Sequence, residues 1–215
     1  MRTLALPLLL AIVVLALWST PVVYPFKIFV VFLHELSHGL AAVATGGAIE
    51  RIELSSNEGG LCVTRGGSRF LVLSAGYLGS LLLGALLLVL AARTRLDRPL
   101  VAGVGLVILT VTAVYVRTTF GFVYGIAAGG VLVAAGRKLP ERAADVVLKT
   151  LGVVSCLYGV WDVASDVLLR SVPGSDANAL GALTGIPGTV WGVVWILIDA
   201  VVLVLAARFA ARGKA

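Results

Sequence analysis

The chain carries only two histidines, His34 and His38, and Glu35 stands between them. On a helix, residues four apart share a face, so both imidazoles point the same way. That is the geometry of two nitrogen ligands on one zinc ion. Glu35 can then accept a proton from a zinc-bound water. The HExxH pattern has three fixed positions and recurs by chance in soluble proteins. Its flanks set this instance apart. Ile28-Phe29-Val30-Val31-Phe32-Leu33 precede it and Gly39-Leu40-Ala41-Ala42 follow, with no basic residue between Lys27 and Arg51. A buried, unpartnered carboxylate costs several kcal/mol, and ionisable groups at membrane depth mark functional sites.

Catalytic zinc usually takes three protein ligands and leaves one position open. With both histidines used, the third falls to an acidic side chain in or next to an apolar helix: Asp162, Asp166 or Asp199. Asp162 and Asp166 are four apart and share a helix face. Two like charges there repel unless a cation or proton lies between them. Asp166 could instead pair with Arg170 at the membrane edge. Asp199 sits well inside the last apolar segment with no basic partner in sequence. Asp176, in Pro173-Gly174-Ser175-Asp176, reads as a helix N-cap or turn residue. Cys62 and Cys156 have no metal-type spacing and imply no disulfide framework, so both read as small apolar side chains.

The elements that position these groups are apolar. The chain of 215 residues is 60% hydrophobic and 13% charged, with mean hydropathy +1.06. Soluble domains carry about 25% charged residues. The composition predicts an all-α polytopic membrane protein, a single domain over 1–215. Candidate spans are 4–18, 22–44, 70–92, 100–116, 119–135, 146–169 and 190–207, giving six or seven transmembrane helices. The first has Arg2 before an apolar stretch but a poor cleavage site, and reads as a retained helix rather than a signal peptide. Segment 45–69 holds two strand-like pieces around Ser55-Ser56-Asn57-Glu58-Gly59-Gly60, which predicts a small β-hairpin over 49–64, after the second helix. Ala75/Gly79 and Ser80/Gly84 are small pairs suited to close helix packing in lipid. The glycine-rich stretch 121–130 lacks the lysine of a phosphate loop.

The net charge of +6 resides in clusters at Arg93, Arg95 and Arg98, at Arg137, Lys138 and Arg142, and at Arg208, Arg212 and Lys214. Topology signals and lipid headgroups explain them; with seven spans these ends fall on one, cytoplasmic side and Arg51, Arg65 and Arg69 face out. Nothing calls for nucleic acid. The Ala/Val/Leu/Gly-rich composition suits a bacterial inner membrane.

Phe32-Leu33-His34-Glu35-Leu36-Ser37-His38-Gly39 in an apolar helix, with a glycine-bearing strand segment behind it, resembles the intramembrane zinc metalloproteases of the site-2 protease group. The likeness extends to a smaller branch of peptidase-like membrane proteins. That branch has a Gly-Tyr-Leu-Gly-Ser segment like 76–80, an Asp-containing helix like 161–166, a Ser-Asp-Ala turn like 175–177 and a Trp-Gly-x-x-Trp helix like 191–195. The resemblance implies zinc held by His34 and His38, with Glu35 as general base. Better-known members take their third ligand from a Leu-Asp-Gly motif. Leu197-Ile198-Asp199-Ala200 matches it only partly, lacking the glycine. The branch resemblance points instead to Asp162, with Asp166 as ligand or supporting partner.

These readings converge on a zinc-dependent intramembrane peptidase acting on membrane-protein or peptide substrates in the lipid bilayer. Two other classes compete: a non-proteolytic membrane binding protein that retains a metal site, and a metal transporter.

Overall fold

The computed structural model describes residues 2–169 and 174–212. The elements in chain order are α1 (Arg2–Ala16), α2 (Tyr24–Ala44), β1 (Ala48–Leu54), β2 (Gly60–Arg65), α3 (Arg69–Arg93), α4 (Asp97–Tyr115), α5 (Thr119–Lys138) and α6 (Glu141–Val163). A π-helical turn (Ala164–Leu169), α7 (Asp176–Thr184) and α8 (Gly188–Ala211) follow. Six helices are long and apolar enough to cross a membrane: α2, α3, α4, α5, α6 with its π-helical extension, and α8. At 15 residues α1 falls short of the ~20 a crossing needs. It packs Val14 into the main core, and Trp18 behind it tilts against Tyr158 of α6, ring centroids 5.8 Å apart. The expected all-helical membrane fold and its single hairpin are both present.

Helix α2 stops because Thr45 turns its hydroxyl back to the Ala41 carbonyl (2.7 Å) and Gly46 takes φ +85°, a left-handed turn that glycine adopts freely. The chain then folds back along α2. Gly60 lies against Glu35, Glu58 reaches Lys27 (3.3 Å), and the Tyr24 hydroxyl donates to the Ser56 carbonyl (2.7 Å). The hairpin therefore lies alongside a membrane helix. Non-helical backbone is tolerated at that depth only where protein or a cavity satisfies it. Both conditions are met. Strand β1 pairs antiparallel with β2, Ile52 opposite Cys62 and Leu54 opposite Gly60. The outer edge of β1 is covered by the α4–α5 turn: Arg117 N–H donates to the Ile52 carbonyl (3.0 Å), and the Thr118 hydroxyl donates to that of Leu54 (2.8 Å). The edge of β2 is left to face a cavity.

Helix α3 is the hub. It runs antiparallel to α2 and α6 and alongside α8, meeting each through a glycine or small residue. Gly79 lies against Ser37 of α2, Gly84 against Ser155 of α6, and Ala85 clusters with Cys156 and Ala206 of α8. The small pairs read from the sequence do close the helices together. The glycine-rich stretch of α5 has the same purpose. Gly121, Gly125 and Gly129 form its buried face, and α4 meets it almost backbone to backbone. Arg98 at the start of α4 donates to the Gly136 carbonyl at the end of α5 (3.2 Å), which brings the first two basic clusters to one end of the bundle. Arg208 joins them because α8 runs with α3. Lys214 of the third cluster lies outside the described residues.

A Cβ at Gly129 would sit 2.7 Å from Leu109 Cγ and 2.9 Å from the Gly105 carbonyl, whereas nothing lies within 4 Å of one at Gly130. Gly129→Ala is expected to lose about 1–3 kcal/mol by overpacking, and Gly130→Ala to be neutral, in thermal melts in detergent. Equal losses would refute this account of α5.

Candidate metal centre

Glu35 and His38 are buried in the face of α2 that meets α3 and the hairpin, and the partly buried His34 shares it. His38 Nδ1 donates to the Val72 carbonyl of α3 (2.7 Å), which fixes the ring and leaves Nε2 without a proton in the neutral form. That Nε2 lies 3.2 Å from Asp176 Oδ2, and His34 Nε2 lies 3.0 Å from the same oxygen. Two lone pairs so close repel unless a proton or cation lies between them. Donor atoms of His34, His38 and Asp176 all fall within 4.8 Å of one another. Two ligands on a tetrahedral zinc, each at ~2.0–2.1 Å, stand about 3.3 Å apart. The residues present fit a metal by both donor type and spacing.

Helix α3 shapes the space. A Cβ at Gly76 would lie 2.5 Å from His38 Nε2 and collide with His34 Nε2 as well, so only glycine leaves the imidazoles their position. Tyr77 meets the His34 ring edge to face (4.7 Å, 86°), and its hydroxyl donates to Asp166 Oδ2 (3.4 Å).

Asp176 arrives from far along the chain. Ser175 caps α7 by accepting from Asn178 N–H (3.4 Å), so Asp176 is the first helical residue rather than the cap. Ala177 and Leu180 are fully buried against Leu73, Tyr77 and Trp195, and that docking aims the start of α7 at the histidines. Burial alone would raise the Asp176 carboxyl. The adjacent imidazoles of His34 and His38, where they carry protons, outweigh it and hold the group below the usual carboxylate range.

Glu35 lines a cavity of about 840 Å³ together with His34, His38, Asp176 and β2. Its carboxylate touches Gly60, where a Cβ would overlap it, and the Cys62 backbone amide interacts with it. Cys62 is half-buried. Burial first, then the Glu35 charge, push its thiol up to about 12, so it is a neutral thiol at ordinary pH and no ready thiolate ligand.

Of the acidic residues singled out in sequence, Asp162 and Asp166 line the same cavity but stand outside the His34–His38–Asp176 group. Arg170, the expected partner of Asp166, lies outside the described residues. Asp199 is buried on α8, does not line the cavity, and has Cys156 as its electrostatic neighbour. Neither of its carboxylate oxygens has a hydrogen-bond partner among the described residues. The turn reading of Asp176 missed its approach to the histidines. The only hint in sequence was the Ser-Asp-Ala segment, which the family likeness already included.

Fold and site together define a multi-pass membrane protein with a candidate metal centre of two histidines and one aspartate. The model of the Peptidase M50B-like family matches residues 7–206, and the chain belongs to that family. Membership supports an intramembrane metallopeptidase. No curated protein and no solved structure matches the chain.

Because the Glu35 charge opposes thiolate formation at Cys62, Glu35→Gln should speed alkylation of Cys62 by iodoacetamide at pH 8 and move its pH profile downward. An unchanged profile would mean that burial alone sets this thiol.

Proposed function

We propose that this chain is a zinc-dependent intramembrane endopeptidase of the site-2 protease type, hydrolysing peptide bonds of membrane proteins or peptides. The observation that carries the reading is the convergence of His34, His38 and Asp176 beside Glu35 on a membrane-spanning helix. In this reading Asp176 is the third ligand. Asp162 and Asp166 line the same cavity and act on what enters it.

Zinc would supply Lewis acidity, polarising the scissile carbonyl and acidifying water. The rest falls to the chain. The Val72 carbonyl holds His38 in the tautomer that offers Nε2, as carbonyl partners do for metal-bound imidazoles. Glu35 takes the proton of the attacking water and passes it to the departing amine. The free edge of β2 receives the substrate as an added strand. Ile52 and Leu54 direct their backbone groups outward to Arg117 and Thr118. Their partners Cys62 and Gly60 therefore direct theirs outward on the opposite edge, toward Glu35. An extended chain bound there would lie beside the general base, its backbone groups paired rather than bare at membrane depth.

The test is zinc stoichiometry and proteolysis on detergent-purified protein, with dye-labelled unfolded casein as the probe substrate. Wild type should hold about one zinc per chain. Glu35→Gln should keep the metal and lose cleavage by at least about a hundredfold. His34→Ala, Asp176→Ala and Gly76→Ala should lose the metal, and Asp199→Ala should keep it. Retained zinc in Asp176→Ala, with loss in Asp162→Ala, would move the third ligand to α6. Wild type that binds zinc and cleaves nothing would favour a non-proteolytic binding protein.

A further inference from the structure

Glu58, at the hairpin tip, has φ +65°, the only non-glycine positive value among the described residues. A glutamate keeps that backbone only where its surroundings fix it, and such sites cluster where position matters. Two contacts fix its side chain. Lys27 Nζ lies 3.3 Å from Glu58 Oε1, and the Tyr158 hydroxyl donates to Oε2 (3.3 Å). Two residues earlier, the Tyr24 hydroxyl donates to the Ser56 carbonyl. Lys27 is itself steadied by the Trp18 ring, 5.1 Å from its centroid, and Trp18 packs on Tyr158.

The location gives the arrangement its meaning. Glu58 lines both the main cavity and a neighbouring one of about 360 Å³. Two residues later Gly60 touches the Glu35 carboxylate. Lys27 lies two helical turns before His34, on the same face of α2. One helix thus carries the metal-type ligands and the anchor for the strand that passes them. A slip of β2 by one residue would turn its outward backbone groups away from Glu35.

We propose that Glu58, clamped between Lys27 and Tyr158, is a positioning residue that fixes the leading end of β2 against Glu35. It thereby sets the register in which an extended substrate is offered for cleavage. The substrate half of this statement rests on the peptidase reading; the positioning of β2 does not.

Lys27→Met, Glu58→Asn and the double variant, in lipid nanodiscs, separate the two. Asparagine tolerates a left-handed backbone but is too short to reach both partners. In Glu58→Asn the melting temperature should hold while amide exchange at Gly60–Arg65 quickens about tenfold. Lys27→Met, which leaves the Tyr158 contact in place, should quicken exchange less, and the double variant should be no worse than Glu58→Asn alone, because removing the glutamate already breaks both contacts. Lys27→Arg should restore wild-type exchange. Zinc content should stay unchanged, and casein cleavage should fall about tenfold through KM rather than kcat. Wild-type exchange in both single variants, or additive effects in the double, would overturn the clamp. Altered exchange with unchanged KM would overturn its role in substrate register. If wild type cleaves nothing, the peptidase reading fails, and exchange alone decides the clamp.

Discussion

The interaction on which the molecule depends is the meeting of His34, His38 and Asp176 inside a bundle built of apolar helices. An uncompensated carboxylate there would cost several kcal/mol, and the two imidazoles present lone pairs that need a cation or protons. The surrounding architecture holds these groups at fixed separation. The Val72 carbonyl orients one ring, Tyr77 braces the other, and Gly76 leaves both their space. Stability and chemistry share one arrangement, because separating the three groups would leave each of these largely buried polar side chains without its partner.

Glycine provides the complementary constraint. In lipid no hydrophobic effect drives helices together, so close packing and polar contacts must do so. Gly76 and Gly79 let α3 approach the histidine face of α2, and Gly84 lets the same helix approach α6. Close approach brings Val72 O to His38 and Tyr77 to Asp166. The packing interface and the walls of the centre are made by the same residues, and a change that loosens one loosens the other.

How much of this was legible in the sequence follows from contact range. The His34–Glu35–His38 arrangement is a local fact of helical period and was readable at once. The hairpin was readable from its turn residues, and the spans from composition. Asp176 was not, because its partner His34 lies 142 residues away and their meeting is fixed by how Ala177 and Leu180 dock α7. Asp162 and Asp166 looked better by the local rule, two carboxylates on one helix face. That rule brought them to the cavity but not into the histidine group. Asp199 shows the same limit. Its burial was expected, but not that the neighbouring Trp195 would meet Tyr77 and leave it on the Cys156 side of α3.

The fold also meets a requirement that proteolysis at membrane depth imposes. A helical substrate hides each scissile carbonyl behind an intrahelical hydrogen bond, and unwinding it in hydrocarbon exposes donors and acceptors at several kcal/mol apiece. An enzyme there must supply replacement partners and water in the same place. The hairpin lies beside a membrane helix with the outer edge of β2 lining the cavity, while the outer edge of β1 is taken by Arg117 and Thr118. That cavity contains Glu35, which interacts with the Cys62 amide of β2. Glu35, the base of the proposed peptidase, is thus in contact with the strand itself. An incoming chain would compete for that amide, so that occupying the edge of β2 would release Glu35 toward water. In the proposed reading, the strand that receives the substrate would then also control when Glu35 is available.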